Sequence, residues 1–505
     1  MMAAFIDLVT RSLHEETRSE FDRRVDEQAT RLTDALRAGR LDNPSFGLGI
    51  ELEAYVVDEE HRLARVPDSL FESRCEKELG RHNIELHTDP NSFDGDGIET
   101  QAATLRRDYR AVQRAADRDG LEIVLDAMWT TPPPDGSDDY LTAARESEGM
   151  TIADNMTPSP RYCAIDNDIL ARAGGAVTLS VPGIERAFPS ILFESLATSI
   201  QPHIQIPDVE VFPRYYNTAI RTLGPVLALA TNSPLLPPDL YEIDDPSRLL
   251  EETYHELRIP VFEQSVNHGW EKVRFPNGIQ RTVDTVDRLV ADRTCAPFLR
   301  EWLEGGTRET FAAQFWELDH KRGTYWRWLR AVIGGQPVKQ GDHWSVRIEY
   351  RPLPTQPTIA ENIGFQVLVA GLVHGLCTAD HPLSSLDRDI AERSFYAAVE
   401  DGIDAEMAWV TADGDRTTDP TVIYDELFEF ARRGLREQGV SSATIEDYVG
   451  PIEARWTDRM TPSRWKLARV ADYLDAGERF DDAVYEMQAD YIRRAATDEP
   501  LVRWF

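Results

Sequence analysis

The chain is 505 residues long, 42% of them apolar, with eleven Trp and nineteen Phe, which excludes a disordered protein because such rings require a core. It carries 88 Asp and Glu against 54 Lys and Arg, a net charge of −34, so it has no basic stripe to release counterions and excludes nucleic acid and anionic membranes as partners. No run of eighteen apolar residues is present, and the N-terminus turns charged at once, so neither a membrane span nor a signal peptide is expected.

Only five of the bases are lysines, at positions 77, 272, 321, 339 and 466. An acidic, lysine-poor surface stays hydrated in molar salt, where the Debye length is about 3 Å and self-repulsion is screened. The expectation is a salt-adapted cytoplasmic protein. Cys75, Cys163, Cys295 and Cys377 lie far apart and form no CxxC, so they read as reduced, buried apolar residues.

Residues 10–40 have the pattern of a charged amphipathic helix ending near Gly39. FGLGIELEAYVVD, residues 46–58, alternates apolar and acidic residues as a strand does. A helix over 101–120 and a strand over 121–129 follow, closed by the loop TTPPPDGSDD. AGGAVTLSV and the alternation ending FESLATSIQPHIQIP form a second strand-bearing block, and 211–232 reads as a helix. An aromatic-rich helical stretch spans 311–334, WSVRIEYR at 344–351 alternates again, and 358–377 is a strongly apolar helix. Residues from about 385 onward are acidic and helical in pattern. Separated strands with helices grouped between them make the fold class α+β, with a mixed or antiparallel sheet.

Several strand-like segments carry polar residues on one face. Glu51 and Glu53, two apart on a strand, project the same way, and such a pair of like charges calls for a cation between them. Glu99 closes the acidic loop DPNSFDGDG ahead of a helix. Gln201, His203 and Gln205 share a face, as do Arg347, Glu349 and Arg351. Carboxylates with one imidazole suit Mg²⁺ or Mn²⁺, which prefer oxygen ligands, better than zinc. Arginines beside them can grip phosphate oxygens in a fork. The combination describes phosphoryl transfer without a glycine-rich loop, since neither GxxxxGK[ST] nor GxGxxG occurs. The competing reading of each segment is a solvated acidic face or a surface ion-pair row.

The order of segments resembles the glutamate–cysteine ligase family of the second type and its carboxylate–amine ligase relatives. GIELEAYVVD resembles the family's opening G-x-E-x-E strand, and IETQAATLRRDYRAVQRAADRDGLEIV its next helix and strand. Pro160-Arg161-Tyr162 is similar to its R-Y motif, and TSIQPHIQIP to its T-x-x-Q/H-x-H/N strand. LALATNSPL, VRIEYRPLPTQPTIAENIGFQVLVAGLVHGL and FYAAVEDGIDAEM complete the series over residues 46–410. Phe395 and Tyr396 depart from the asparagine and tryptophan of the last motif.

The resemblance implies a glutamine synthetase-like fold, a curved antiparallel funnel with the chemistry on its concave face. It implies Glu51, Glu53, Glu99, His203 and Glu349 as ligands of two or three Mg²⁺ (or Mn²⁺), with Asp94 or Asp96 as a further member. Arg351 would hold the transferring γ-phosphate of ATP, with Glu349 beside it, and Arg161, Gln205 and Arg347 would bind substrate or nucleotide. A catalytic domain over 46–410, with an insertion at about 240–340, would follow an N-terminal helical extension, 1–45, and precede a helical region, 411–505. The expected reaction joins a carboxylate to an amine through an acyl phosphate, glutamate to cysteine first. Alternatives are another acid or amine, a guanidino or amino kinase, and a silent acidic binding protein. Small-molecule substrates are the expected partners, and the oligomeric state is left open.

Overall fold

A computed structural model of the chain describes residues 2–72, 74–303, 311–335, 338 and 344–504. Its centre is an eight-stranded sheet. The strands are β1 (Gly47–Val57), β2 (Glu76–Lys77), β3 (Asn83–His87), β4 (Asn91–Ser92), β5 (Glu122–Val124), β6 (Ile200–Ile206), β7 (Leu329–Ile333) and β8 (Val346–Tyr350). The order is β7-β8-β6-β1-β3-β2, with β4 and β5 also paired to β1, and every pairing is antiparallel. The α+β class and the antiparallel sheet expected from the strand patterns are therefore borne out.

Period-two alternation divides the sheet into two chemistries. Leu48, Ile50, Leu52, Ile200, Ile204, Val346 and Ile348 are fully or almost fully buried on one face. Helices α1 (Pro160–Ala173), α2 (Phe212–Ala230) and α3 (Ile359–Thr378) follow the chain around the sheet, and α3 packs on β1 and β6. Helix α3 is long and apolar enough to cross a membrane, but 94% of its apolar window is buried inside the protein, so it is a core helix. It begins with a reciprocal cap. Thr358 accepts from the Glu361 N–H at 3.1 Å and its hydroxyl donates to the Glu361 carboxylate at 3.0 Å.

Glycines set how closely α3 and a later helix, α4 (Pro420–Glu437), approach each other. A Cβ on Gly375 would lie 2.0 Å from the Phe430 carbonyl oxygen, and one on Gly434 2.1 Å from that of Gly371. Any side chain there would push α4 off the core. Helix α3 also reaches β1 directly, because Gln366 donates to the Gly49 carbonyl at 2.7 Å.

Three sequence expectations change. The 311–334 stretch is not one helix. It contains helices Phe311–Gln314 and Trp316–Arg322, and then β7. Gly323 interrupts the helical run, and the sheet edge along β8 offers backbone partners that outweigh local helical propensity. The expected strand over 121–129 shortens to β5, and the helix expected at 101–120 begins earlier, at Gly95, and ends at Ala116.

Candidate active site

Polar residues on the opposite face of the sheet converge. The register sets Arg330 beside Glu349 and Glu349 beside His203, while Glu51 lies beside Gln201 and Glu53 beside Glu85. His203 lies beside Gly49, which presents no side chain. Of these, Glu51, Glu53, Glu85, Gln201 and Arg330 floor a cavity of about 680 Å³ walled by Arg161, Tyr162, Glu194, Phe262 and Trp326. A second cavity of about 390 Å³ shares Glu51 and Glu85 and runs along Arg347, His203 and Gln205.

Two trios of potential ligand atoms lie within 4.8 Å of one another: Glu51, His203 and Glu349, and Glu53, Glu78 and Glu85. They differ electrostatically. Glu349 is fully buried and clamped by cations. Arg330 Nη2 donates to its Oε1 at 2.9 Å, Arg330 Nε donates to Oε2, and Arg351 Nη1 donates to Oε1 at 2.5 Å. Burial opposes its ionisation, but Arg330, Arg351 and His203 together hold its carboxyl well below the usual range. Burial in turn pushes Arg330 down to about 10 against the pull of Glu349.

The second trio has no such clamp: Arg258 and Arg351 act on it only from a distance, and none of its members forms an ion pair among the described residues. Glu53 accepts from the Ser199 N–H at 2.7 Å and the Gln201 amide at 3.0 Å. Burial and the neighbouring Glu78 still push its carboxyl up to about 7. Burial, then Glu78, Glu51 and Glu53, drive Glu85 well above its ordinary value. Glu194, on the same wall, is raised to about 8 by burial and by Glu78 and Glu53. Buried like charges in this arrangement are unfavourable unless protonated or bridged by a cation.

His203 is held by Arg347, whose Nε donates to Nδ1 at 3.0 Å. A neutral ring accepting there carries its proton on Nε2. That atom points at Glu51 Oε1, 3.2 Å away, yet completes no aligned hydrogen bond. Ligation through Nε2 would require Arg347 to turn aside.

The structure thus brings together Glu51, Glu53, His203, Glu349, Arg351, Arg347 and, across the cavity, Arg161. Gln205 lies on the same face but is engaged, donating to the Ser45 carbonyl at 2.9 Å. Glu99 requires correction. It is exposed on the helix Gly95–Ala116, its carboxylate 3.5 Å from the Tyr448 hydroxyl, and it joins neither trio. The helix winds it onto the outer surface instead of toward the sheet. Asp94 caps that helix, accepting from the Gly97 N–H at 2.8 Å, and Asp96 is exposed, so neither joins the carboxylates.

Sequence reasoning missed Glu78, Glu85 and Arg330. Glu85 carried a usable signal, because Ile84 and Leu86 flank it in the alternation of NIELH. Arg330 was hidden by the helical reading of its segment. Glu78 lies just after the two-residue β2 and has no periodic signature.

A family model described as glutamate–cysteine ligase family 2 matches residues 47–498. Among solved structures, the chain is similar to the glutamate–cysteine ligase of Francisella tularensis in complex with AMP, at 14% identity and a TM-score of 0.51. That match covers 92% of this chain and 91% of the other. It is also similar to a bifunctional glutathione synthetase from Pasteurella multocida, at 13% identity and a TM-score of 0.51, covering 93% of this chain and 55% of that longer one. Curated proteins provide no match. The two structures share the fold, and with the family match over nearly the whole chain they lead to one conclusion: the chain belongs to glutamate–cysteine ligase family 2 and is a ligase of the carboxylate–amine kind.

Proposed function

We propose that the chain joins the γ-carboxylate of glutamate to the amine of cysteine, consuming ATP and requiring a divalent cation. The observation that carries this reading is the uncompensated trio Glu53, Glu78 and Glu85 beside the Arg330–Glu349–Arg351 clamp, on the floor of one cavity. Use of ATP is supported by the AMP complex of the similar Francisella ligase.

A carboxylate does not condense with an amine at neutral pH, because its oxygen leaves poorly. Phosphorylation by ATP makes an acyl phosphate, whose phosphate is a good leaving group. The donor set fits Mg²⁺ or Mn²⁺, since the oxygens are hard and three of them crowd together without a cation. Glu53, Glu78 and Glu85, and Glu51 with Glu349 and His203, would hold such ions, whose charge would screen ATP phosphates from the surrounding carboxylates.

The chain's own cations act on the oxyanions. Among the described residues the Arg351 guanidinium bonds only through Nη1, to Glu349 and Gln201, and it lines the cavity, where its remaining N–H groups suit the charge that accumulates on the transferring phosphoryl group. Glu349 fixes Arg330 and Arg351 in place, so no reorganisation is needed when that charge develops. Arg161 makes no hydrogen bond or ion pair with the described residues and faces the same cavity, which suits it to a substrate carboxylate. Phe262, Trp326 and Tyr162 supply apolar walls that keep water from the acyl phosphate.

The test is phosphate release from ATP with Mg²⁺ in high salt, with glutamate fixed and amines varied. Release that requires both glutamate and cysteine supports the proposal. Release with another acid or amine changes the substrate, and no release with any pair refutes the ligation reading for this chain.

A further inference from the structure

Away from the ligase cavity, a cavity of about 370 Å³ lies in the 240–340 region. Five of its fourteen lining residues are cationic: Lys272, Arg274, Arg288, Arg293 and Arg327. In a chain with 54 bases among 505 residues and a net charge of −34, this density is several times the average. It shares no lining residue with the cavity that holds Glu53 and Arg351.

Only two carboxylates line it. Asp292 is divided between Lys272 and Arg327, its Oδ1 2.9 Å from Arg327 Nη2. Glu271 pairs with Arg274 at 2.7 Å, and Arg274 Nε is buried with no partner. Arg288 and Arg293 have no carboxylate among the described residues. Arg288 Nη1 donates to the Asn277 carbonyl at 2.7 Å and its Nη2 to the Gly278 carbonyl, and Arg293 Nη1 donates to the Gly269 carbonyl at 2.9 Å. Carbonyls orient these guanidiniums but neutralise no charge. The cations exceed the acids by three, and the surplus faces one concavity.

The cluster is anchored to the sheet edge. The Trp328 N–H donates to the Arg274 carbonyl at 3.2 Å, and Arg327 stacks on Tyr325 at 4.2 Å. Alternation along 325–328 turns Tyr325 and Arg327 to this cavity and Trp326 to the ligase cavity. The forks are therefore held on ordered backbone, with part of their donor capacity unspent.

We propose that this cavity is a second binding site, specific for a small multivalent oxyanion of the phosphate class. Guanidinium forks match the oxygens of a phosphoryl group, and two uncompensated arginines with a half-satisfied third supply the charge. A free polyphosphate and the phosphate of a nucleotide present the same chemistry. The acidic surface elsewhere repels anions, which makes local binding selective.

The test is isothermal titration of the full chain with inorganic pyrophosphate, and separately with AMP, at fixed KCl with EDTA. The ligase cavity presents Arg161 and Arg351 to the same probes, so the heat is assigned to the second cavity by its loss in Arg293→Ser and Arg288→Gln. One site per chain is expected, weakened about tenfold in both Arg293→Ser and Arg288→Gln. Arg293 is exposed and makes one backbone bond, so its variant folds even if that at Arg288 is destabilised. Tighter binding of AMP would name a nucleotide as the ligand, and tighter binding of pyrophosphate a free polyphosphate. Absence of binding by the unmodified chain, or unchanged affinity in both variants, overturns the proposal.

Discussion

Glu349→Gln separates a structural role of this residue from a chemical one. Glu349 is fully buried and its two oxygens take three guanidinium donors, two from Arg330 and one from Arg351. Glutamine keeps one acceptor but turns an amide N–H₂ toward a donor, and it leaves two buried cations facing each other. Removing one partner of such a cluster costs about 3–5 kcal/mol. An unfolding entropy of about 2.1 cal/mol/K per residue over 505 residues gives about 1 kcal/mol/K, so the melting temperature should fall by about 3–5 °C. At an assay temperature far below the transition the folded population is unchanged. Turnover should nevertheless fall at least about a hundredfold, because Arg351 loses the anchor that orients it. The assay is glutamate-dependent phosphate release alongside a thermal melt on the same sample. A variant that melts as expected but turns over within a few-fold of the unmodified enzyme would refute the reasoning.

Glu85→Gln removes a carboxylate from the uncompensated trio. Titration calorimetry should show Mg²⁺ affinity lowered at least about tenfold, while metal-free stability holds or rises because repulsion is relieved. Glu99→Gln, on the exposed helix surface, should leave turnover and Mg²⁺ affinity within about twofold, and a hundredfold loss would place that helix at the site. Asp166, buried beneath Ser190 and the Ile191 N–H, has its carboxyl raised from 3.8 to about 7 by burial. A raised folded value means its stabilising contribution is present below about pH 4 and lost as pH rises through about 7, at most about 4 kcal/mol. Urea unfolding of Asp166→Asn should therefore gain on the unmodified chain between pH 5 and pH 8, and a constant gap would exclude the effect.

Much of the concave face was legible before the fold was known. Glu51, Glu53, His203 and Glu349 lie on strands whose alternate residues are apolar, with Arg351 directly after the last of them, and period two requires the polar ones to share a face. Strand identity and facing were thus local properties, as were the apolar α3 and its Thr358–Glu361 cap. Glu99 read as a candidate because its acidic loop precedes a helix, but a residue at a helix start turns by about 100° per position, and only the packing of that helix decides which way it faces. The fate of 325–333 was likewise a tertiary decision. Its Trp and Arg residues suit either state, and the open edge of β8 selected the strand that delivers Arg330 to Glu349. Glu78 and Glu85 joined Glu53 through antiparallel register between segments about thirty residues apart, which no local pattern encodes. Periodicity along a chain reports which side chains share a surface. Which surfaces meet, and therefore which charges are neutralised and which await a cation, is decided when the sheet closes.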